Sequence, residues 1–534
     1  MKVYPFEQQT VGAIVEDKAK TCGDRVFLEF EDGNTATYRE CDERANRIAN
    51  GLLQLGLKKG DTLATLLPNC LESLYIWFGT AKAGIIEVPI NVANKGTFLS
   101  HIINKSDCRM IVIDRELIDR LKFIEKDIPN LQKVIVRSGS SGREPLPELA
   151  FEVVNYNVLA NASPEPPNIP VKPTDPLVVI YTSGTTGQAK GVLLPNAAIS
   201  IHCTDYVEAV RGVPEDVLFT FLPLFHGNAR FLCVGPALLL ETKVVIYKRF
   251  SATRFWDQIR KHGATVFNTL GGIANFIYNQ PRRPDDGDNP VRVCAAFPMP
   301  APLYDDFEKR YGVKVIEGYG LTETAIITWN PWDAPRIGSC GKEIKTVEVR
   351  IVDQDHRTVP PGTLGEIVAR GRIPWAMALG YHNMPEKTVE LMQNHFYHTG
   401  DAGYLDEEGY LFFRDRIKDY IRRRGENISS AEIESVVNSH PKVSMSAAVA
   451  VACDLPDDEV KVVVVLKEGE RLPPEELLAF CVDRMPYFAV PRYIEYVESL
   501  PMTANEKIQK AKLREMGITA TTWDREKTGY KVTK

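Results

Sequence analysis

An apolar run, Leu177-Val178-Val179-Ile180-Tyr181, breaks off into Thr182-Ser183-Gly184-Thr185-Thr186-Gly187-Gln188-Ala189-Lys190-Gly191. A short run rich in β-branched residues reads as a buried strand, and one that opens into hydroxyls, glycines and a single lysine calls for a fold whose strand ends meet a ligand. Glycines let backbone N–H groups approach an anion, hydroxyls donate to it, and the lysine adds a point charge, so the segment predicts a phosphate cradle. It is not a Walker A loop. The spacing is G-x-x-G-x-x-K-G, no Ser or Thr follows Lys190, and Val192-Leu193-Leu194 continues as strand rather than helix. Taken alone, a flexible Gly/Ser/Thr turn is the competing reading.

The pattern around this segment is alternating α/β. Ala45, Ile48, Ala49, Leu52 and Leu53 fall on one helical face after Tyr38, and Gly56 can end that helix. A strand from Thr62 to Leu67, a helix from Leu71 to Ala83 and a β-prone stretch from Ile85 to Pro89 make a βαβ unit, and Met110 to Ile113 and Lys133 to Val136 extend it. Glu144 to Pro176, with many prolines, reads as an extended surface connection. A second α/β region is expected from Leu177 to about Tyr319, then a β-rich subdomain containing Val347 to Val352 and Gly365 to Ala369. Near Arg414 to Lys418 a charge-rich crossing leads into a compact α/β pattern, placing a boundary at about residue 416.

Composition removes several function classes. Lys and Arg number 64 against 70 Asp and Glu, a net charge of −6, which disfavours nucleic acid as main partner because binding it calls for a basic field. The ten cysteines have no C-x-x-C spacing and read as small hydrophobes in a reducing compartment. His395 and His398 lack a third ligand nearby, so no protein-bound transition metal is expected. No secretion signal is visible at the N-terminus, and the longest apolar stretch, Phe231 to Leu240, falls short of the ~20 residues a membrane span needs. A soluble, cytoplasmic protein is the expectation.

Tyr181 to Gly191 resembles the phosphate loop of the adenylate-forming superfamily, which contains acyl-CoA synthetases, firefly luciferase and the adenylation domains of nonribosomal peptide synthetases. Further segments match that family in order: Leu222-Pro223-Leu224-Phe225-His226; Gly318-Tyr319-Gly320-Leu321-Thr322-Glu323-Thr324; Tyr397-His398-Thr399-Gly400-Asp401; Asp415-Arg416-Ile417-Lys418-Asp419 running on to Arg424-Gly425-Glu426-Asn427; and Asn505-Glu506-Lys507-Ile508-Gln509. The resemblance implies an α/β fold. A large N-terminal ATP- and acyl-binding domain, residues 1–415, comprises two α/β subdomains plus a β-rich subdomain, and a hinge joins it to a small mobile α+β C-terminal domain, residues 416–534.

It also implies an activity, ATP-dependent ligation of a small-molecule carboxylate to coenzyme A through an acyl-adenylate, with AMP and pyrophosphate released. Lys507 would bridge the carboxylate and α-phosphate, Thr322 contact the α-phosphate, and His226 gate the acyl pocket. Thr182, Ser183, Gly184, Thr185, Thr186 and Lys190 would cradle ATP. Ala296, Phe297, Tyr319, Gly320 and Leu321 would wall the nucleotide, with Tyr319 stacking on adenine, while Asp401 and Arg416 would hold the ribose. Glu323 would hold Mg²⁺, a hard cation suited to carboxylate oxygens. Lys418 would be the hinge, and rotation about it would bring Arg424 and Gly425 to the acyl-adenylate and open a channel for coenzyme A. For His226 a core histidine, and for the Arg422-Arg423-Arg424 run a solvated basic turn, are the plain alternatives.

The chain departs from the family pattern in places. Ala189 replaces a usual proline, Phe396 stands where tryptophan is common, Ala295-Ala296-Phe297-Pro298 replaces a Gly-Gly-Ala-Pro wall, and Glu506 replaces a glycine before Lys507. The texture most resembles bacterial CoA ligases of the crotonobetaine/carnitine type. A trimethylammonium acid would want an aromatic box, for which Trp329 and Trp332 are candidates, although loop tryptophans commonly pack locally. The competing activity is a free-standing adenylation enzyme that loads a carrier protein. Against amino acid substrates, the stretch about ten residues after His226 is apolar, Phe231-Leu232-Cys233-Val234-Gly235-Pro236-Ala237, with no aspartate for an amino group. A homodimer is the family-level expectation.

Overall fold

The computed structural model describes residues 1–138, 145–182, 189–299, 301–416, 420–423, 426–452, 458–501, 508, 510–530 and 532. The helix Tyr38–Gln54 begins where the sequence supplies a capping box: the Ala45-side apolar face follows Thr37, whose hydroxyl accepts the Glu40 N–H while the Glu40 carboxylate accepts the Thr37 N–H. It packs on the helix Leu71–Ala83, which is buried all round and ends at Gly84 in the left-handed conformation that a residue without Cβ adopts freely.

Two twisted sheets form the bulk of the N-terminal part. In the first, the order runs Gly380–Tyr381, Lys190–Pro195, Pro176–Thr182, Ile86–Pro89, Thr62–Leu66, Met110–Asp114, Lys133–Arg137, Glu152–Asn155. In the second it runs Lys342–Glu343, Ala325–Trp329, Lys314–Leu321, Val293–Phe297, Val266–Leu270, Val217–Thr220, Lys243–Ile246, Val26–Phe30, Thr35–Thr37. Parallel pairing dominates the interior of both, and antiparallel hairpins carry the edges next to the ligand-facing loops. One hydrophobic core spans both sheets, with Trp77, Phe78, Phe219 and Phe255 wholly or almost wholly buried in it.

A third, antiparallel sheet follows, with Val347–Val352, Gly365–Gly371, Phe396–Leu405 and Leu411–Arg416 as its longer strands. The C-terminal part has the hairpin Tyr420–Arg423 with Glu426–Ser429 and the sheet Val443–Ala452, Asp458–Leu466, Tyr493–Tyr496, Trp523–Asp524. The helices Ser430–Asn438 and Pro474–Val482 cover it and share a core of their own. Among the described residues no helix is long and apolar enough to cross a membrane.

Two expectations need correcting. The second α/β region does not begin at Leu177: the hairpin Pro176–Thr182 with Lys190–Pro195 adds to the first sheet, while Val26–Phe30 and Thr35–Thr37, far earlier in the chain, join the second. The proline-rich connection is not merely extended surface. Glu152–Asn155 pairs in parallel with Lys133–Arg137, and Leu159 on the turn Asn157–Ala160 is wholly buried against Gly51. Asn46 and Arg47 then donate to the carbonyls of Pro164 and Ala162, strapping the segment along the helix Tyr38–Gln54.

Candidate active site

Hairpins at the strand ends of the two sheets come together, Tyr381 of the first bonding Glu323 of the second, and the crevice outside strand ends is where open α/β sheets bind ligands. From the first sheet come Thr182 and Lys190, paired across their hairpin. Ser183, Gly184, Thr185 and Thr186 of the expected cradle lie outside the described residues. The edge strand Gly380–Tyr381 pairs with Val192 and Leu193 and sets the Tyr381 ring under the Lys190 ammonium, 4.9 Å from Nζ to the ring centre.

From the second sheet comes the hairpin Lys314–Leu321 with Ala325–Trp329. Its turn is tight. A Cβ on Gly320 would lie 1.9 Å from the Ala325 carbonyl oxygen, and Ala325 itself takes a positive φ of 57°. Only glycine fits at 320, and that close approach brings Thr322 and Glu323 to the tip. Leu321 N–H donates to the Thr324 hydroxyl at 3.2 Å, and Thr324 is wholly buried. Glu323 is also buried, its main-chain carbonyl accepting from Ala378 N–H and its Oε1 accepting from the Tyr381 hydroxyl at 2.8 Å. Lys190, Tyr381 and Glu323 thus form one contiguous group built from three distant segments.

Beside them, Tyr319 donates its hydroxyl to Asp401 Oδ2 at 2.7 Å, and its ring lies 5.9 Å from that of Phe413. Asp401 sits on the strand Phe396–Leu405, opposite Arg416 in register; of Arg416 only the main chain is described. The turn before Asp401 is held from behind. Glu366 accepts the Gly400 N–H at 3.0 Å and the His398 ring at 2.8 Å, and Asp401 N–H donates to the Thr399 hydroxyl.

Ala296 is wholly buried in the sheet, in register with Glu317, whereas Phe297 at the strand end is only half buried. Alternation along the strand separates the two. Phe297 packs on Trp329, and Trp329 on Tyr206, while Trp332 lies under the Arg211 guanidinium at 5.0 Å. Trp329 and Trp332 therefore do not form an aromatic box: one is core, and the other's face is covered by a cation of the chain itself.

His226 is half exposed, its Nε2 3.8 Å from Glu426 Oε2 on the C-terminal hairpin. Lys418, Arg424, Gly425 and Lys507 lie outside the described residues. Two residues after His226, Asn228 accepts from Asn268, which in turn accepts from the Tyr206 hydroxyl at 2.6 Å. Beneath them Arg230 reaches Glu87 through both terminal nitrogens, and each side chain is almost wholly buried. Among the described residues no cluster of His, Cys, Asp and Glu could hold a metal ion by itself.

Sequence reasoning missed Tyr381, Glu366, Glu317 and the Tyr206–Asn268–Asn228 relay. Tyr381 carries no local charge pattern, and its pairing with Glu323 depends on an edge strand joining a sheet across nearly two hundred residues of chain. Glu317, two residues before Tyr319, is buried, and burial pushes its carboxyl up to about 8.

Residues 15–382 match the AMP-binding enzyme family, and residues 432–507 match the AMP-binding enzyme C-terminal domain. The chain belongs to the AMP-binding enzyme family. This AMP-binding enzyme is 33% identical over 519 residues to the crotonobetaine/carnitine–CoA ligases of Salmonella heidelberg (strain SL476) and Salmonella typhimurium, covering 95% of the chain and 99% of each relative. ATP-bound MatB from Rhodopseudomonas palustris is 27% identical with a TM-score of 0.68, covering 95% of this chain and 99% of that one. A double mutant of o-succinylbenzoate CoA synthetase from Bacillus subtilis, bound to a product analogue, shares the fold with a TM-score of 0.81 at 24% identity, covering 96% and 99%. The expected fold, a large N-terminal part carrying two sheets and a smaller C-terminal part, is the one observed.

Proposed function

We propose that this AMP-binding enzyme is an ATP-dependent carboxylic acid:CoA ligase. A carboxylate oxygen attacks the α-phosphorus of ATP and pyrophosphate leaves; the coenzyme A thiolate then attacks the acyl carbonyl of the adenylate and AMP leaves. The observation that carries this reading is the convergence, in one crevice, of Lys190, Tyr381 and Glu323 beside Tyr319 and Asp401, in a chain one-third identical to named CoA ligases.

Charge builds on phosphate oxygens during the first step, so cations and donors aimed there lower its barrier. Lys190 would meet the β- and γ-phosphates, with Thr182, Ser183, Gly184, Thr185 and Thr186 closing the cradle, and Thr322 would donate to the α-phosphate. Bound Mg²⁺ neutralises phosphate charge; Glu323, a buried carboxylate oriented by Tyr381, has the hard oxygen donor it needs. Asp401 would hold the ribose and position Tyr319 against adenine through their shared hydrogen bond, with Arg416 as second contact. Lys507 would bridge carboxylate and α-phosphate.

For the second step the boundary near residue 416 and the hinge Lys418 would let the C-terminal domain, 416–534, rotate and exchange Lys507 for the Arg424-Gly425 turn. The approach of Glu426, on the strand Glu426–Ser429, to His226 supports that exchange. The enzyme would act on free small molecules in the cytoplasm, as a homodimer. The buried apolar stretch 231–237 offers no carboxylate to an amino acid, which favours a simple carboxylate over the carrier-loading alternative.

The test is mass spectrometry of products from the pure enzyme with ATP, Mg²⁺, coenzyme A and a panel of short, medium, aryl and betaine-type acids, with Lys507→Ala as control. Acyl-CoA and AMP, absent in the variant, are expected. Accumulation of acyl-adenylate without thioester would overturn coenzyme A as the acceptor.

A further inference from the structure

The loop that follows the strand Val347–Val352 doubles back at Asp353. Asp353 organises the turn: its N–H donates to the Arg357 carbonyl at 2.9 Å, its carbonyl accepts the His356 N–H at 3.0 Å, and its Oδ1 accepts the N–H groups of Asp355 and Arg357. The turn leaves His356 at a φ of 62°, the left-handed region that glycine and asparagine enter most readily. These bonds are made by the main chain and the Asp353 carboxylate, so the imidazole serves elsewhere. Its Nδ1 lies 3.2 Å from His398 Nε2, and the two rings meet edge to face with centres 4.7 Å apart.

His398 is a link in a line that ends at Asp401. Its Nδ1 faces Glu366 Oε2 at 2.8 Å, and a carboxylate only accepts, so Nδ1 carries a hydrogen. In the neutral ring Nε2 is then an acceptor, and the hydrogen between the two imidazoles belongs to His356 Nδ1. Glu366 Oε1 accepts the Gly400 N–H at 3.0 Å, so one carboxylate holds both His398 and Gly400. Thr399, between them, donates to the Ile367 carbonyl at 2.6 Å and accepts the Asp401 N–H at 3.1 Å, while Gly400 takes a φ of 70°. The backbone leading into Asp401 is thus fixed at three successive residues, and the His398 side chain, 10% exposed, has little access to water in place of either partner.

Resting on the ligase reading above, which gives Asp401 to the ribose, we propose that His356 is a positioning residue for the nucleotide. By donating to His398 Nε2 it sets the tautomer and the angle of that ring; the ring orients Glu366, and Glu366 holds the Gly400–Asp401 turn in the conformation that receives the ribose hydroxyls. His356 touches neither ATP nor the acid. Its effect reaches the site only through hydrogen-bonded neighbours, each with its partner within 3.2 Å.

Ribose recognition itself is the readout. ATP–pyrophosphate exchange, with the panel acid that gives most acyl-CoA held saturating, yields kcat and KM for ATP and for its 2′- and 3′-deoxy analogues. His356→Gly keeps the turn and removes the ring. It should raise the KM for ATP about three- to tenfold, the effect of one neutral hydrogen bond, with kcat within about twofold, and lower the preference for ATP over the deoxy analogues by a similar factor. His356→Asn enters the left-handed region as well, and its amide nitrogen stands where Nδ1 stood, so it should stay within about twofold of wild type. His398→Asn keeps a donor toward Glu366 but lacks Nε2; combined with His356→Gly it should be no worse than alone, because both break the same link. Melting curves check that each variant folds. An unchanged preference for ATP in His356→Gly, an Asn variant as impaired as Gly, or additive losses in the double variant would overturn the proposal. Asp401→Asn should lower the same preference about tenfold or more. If it does not, the ribose assignment fails and this proposal with it; an impaired Asp401 variant beside an unimpaired His356→Gly overturns this proposal alone.

Discussion

Tyr381 offers the sharpest single-atom perturbation of the proposed site. Its hydroxyl donates to Glu323 Oε1 at 2.8 Å with both residues buried, and its ring lies under Lys190. Tyr381→Phe keeps the ring and its cation–π contact and removes only the hydroxyl. A hydrogen bond to a charged group is worth about 1.5–3 kcal/mol, and each 1.4 kcal/mol is tenfold in rate, so the loss should be about 10- to 150-fold in kcat/KM of adenylation. ATP–pyrophosphate exchange across a range of Mg²⁺ concentrations reads it. Because the hydroxyl orients the carboxylate assigned to the metal, the half-saturating Mg²⁺ concentration should rise as well. Tyr381→Leu, which also removes the ring, should lose about a further 0.5–2 kcal/mol. A Phe variant within twofold of wild type, with unchanged Mg²⁺ dependence, would refute the role given to this hydrogen bond.

The buried pair of Arg230 and Glu87 ties the helix below His226 to the first sheet, so Glu87→Ala should cost about 3–5 kcal/mol by stranding a buried cation, while Glu87→Leu with Arg230→Met should recover most of it in thermal melting. Glu317, with its carboxyl raised from 4.5 to about 8, binds a proton in the folded chain that it sheds when unfolded. Its contribution is therefore complete below about pH 4.5 and is lost as pH rises to about 8, and Glu317→Gln should flatten the fall of melting temperature across that window; an unchanged pH slope would contradict it.

Local elements were readable because each has a local cause. The helix Tyr38–Gln54, the buried run Leu71–Ala83 and the strand before the phosphate loop all stand where periodicity places them. Sheet membership was not, since nothing within Val26–Phe30 says that it pairs with Lys243–Ile246 rather than with its neighbours. The site divides the same way. Tyr319, Glu323 and Asp401 announce themselves in motifs, and the structure brings Tyr319 and Asp401 within hydrogen-bond distance. Tyr381, Glu366 and Glu317 are ordinary residues locally and acquire their partners only from strands closing across the crevice. The tryptophan pair shows the converse: a pattern can name the right segment, while packing decides what each side chain meets.

The central claim is that the acid's own oxygen becomes bonded to the α-phosphorus of ATP. It is tested most directly by supplying a carboxylate labelled in both oxygens with oxygen-18, together with ATP, Mg²⁺ and coenzyme A, and weighing the nucleotide product. An acyl-adenylate route puts one heavy oxygen into AMP and none into pyrophosphate. Unlabelled AMP, or ADP with the label in inorganic phosphate, would contradict it.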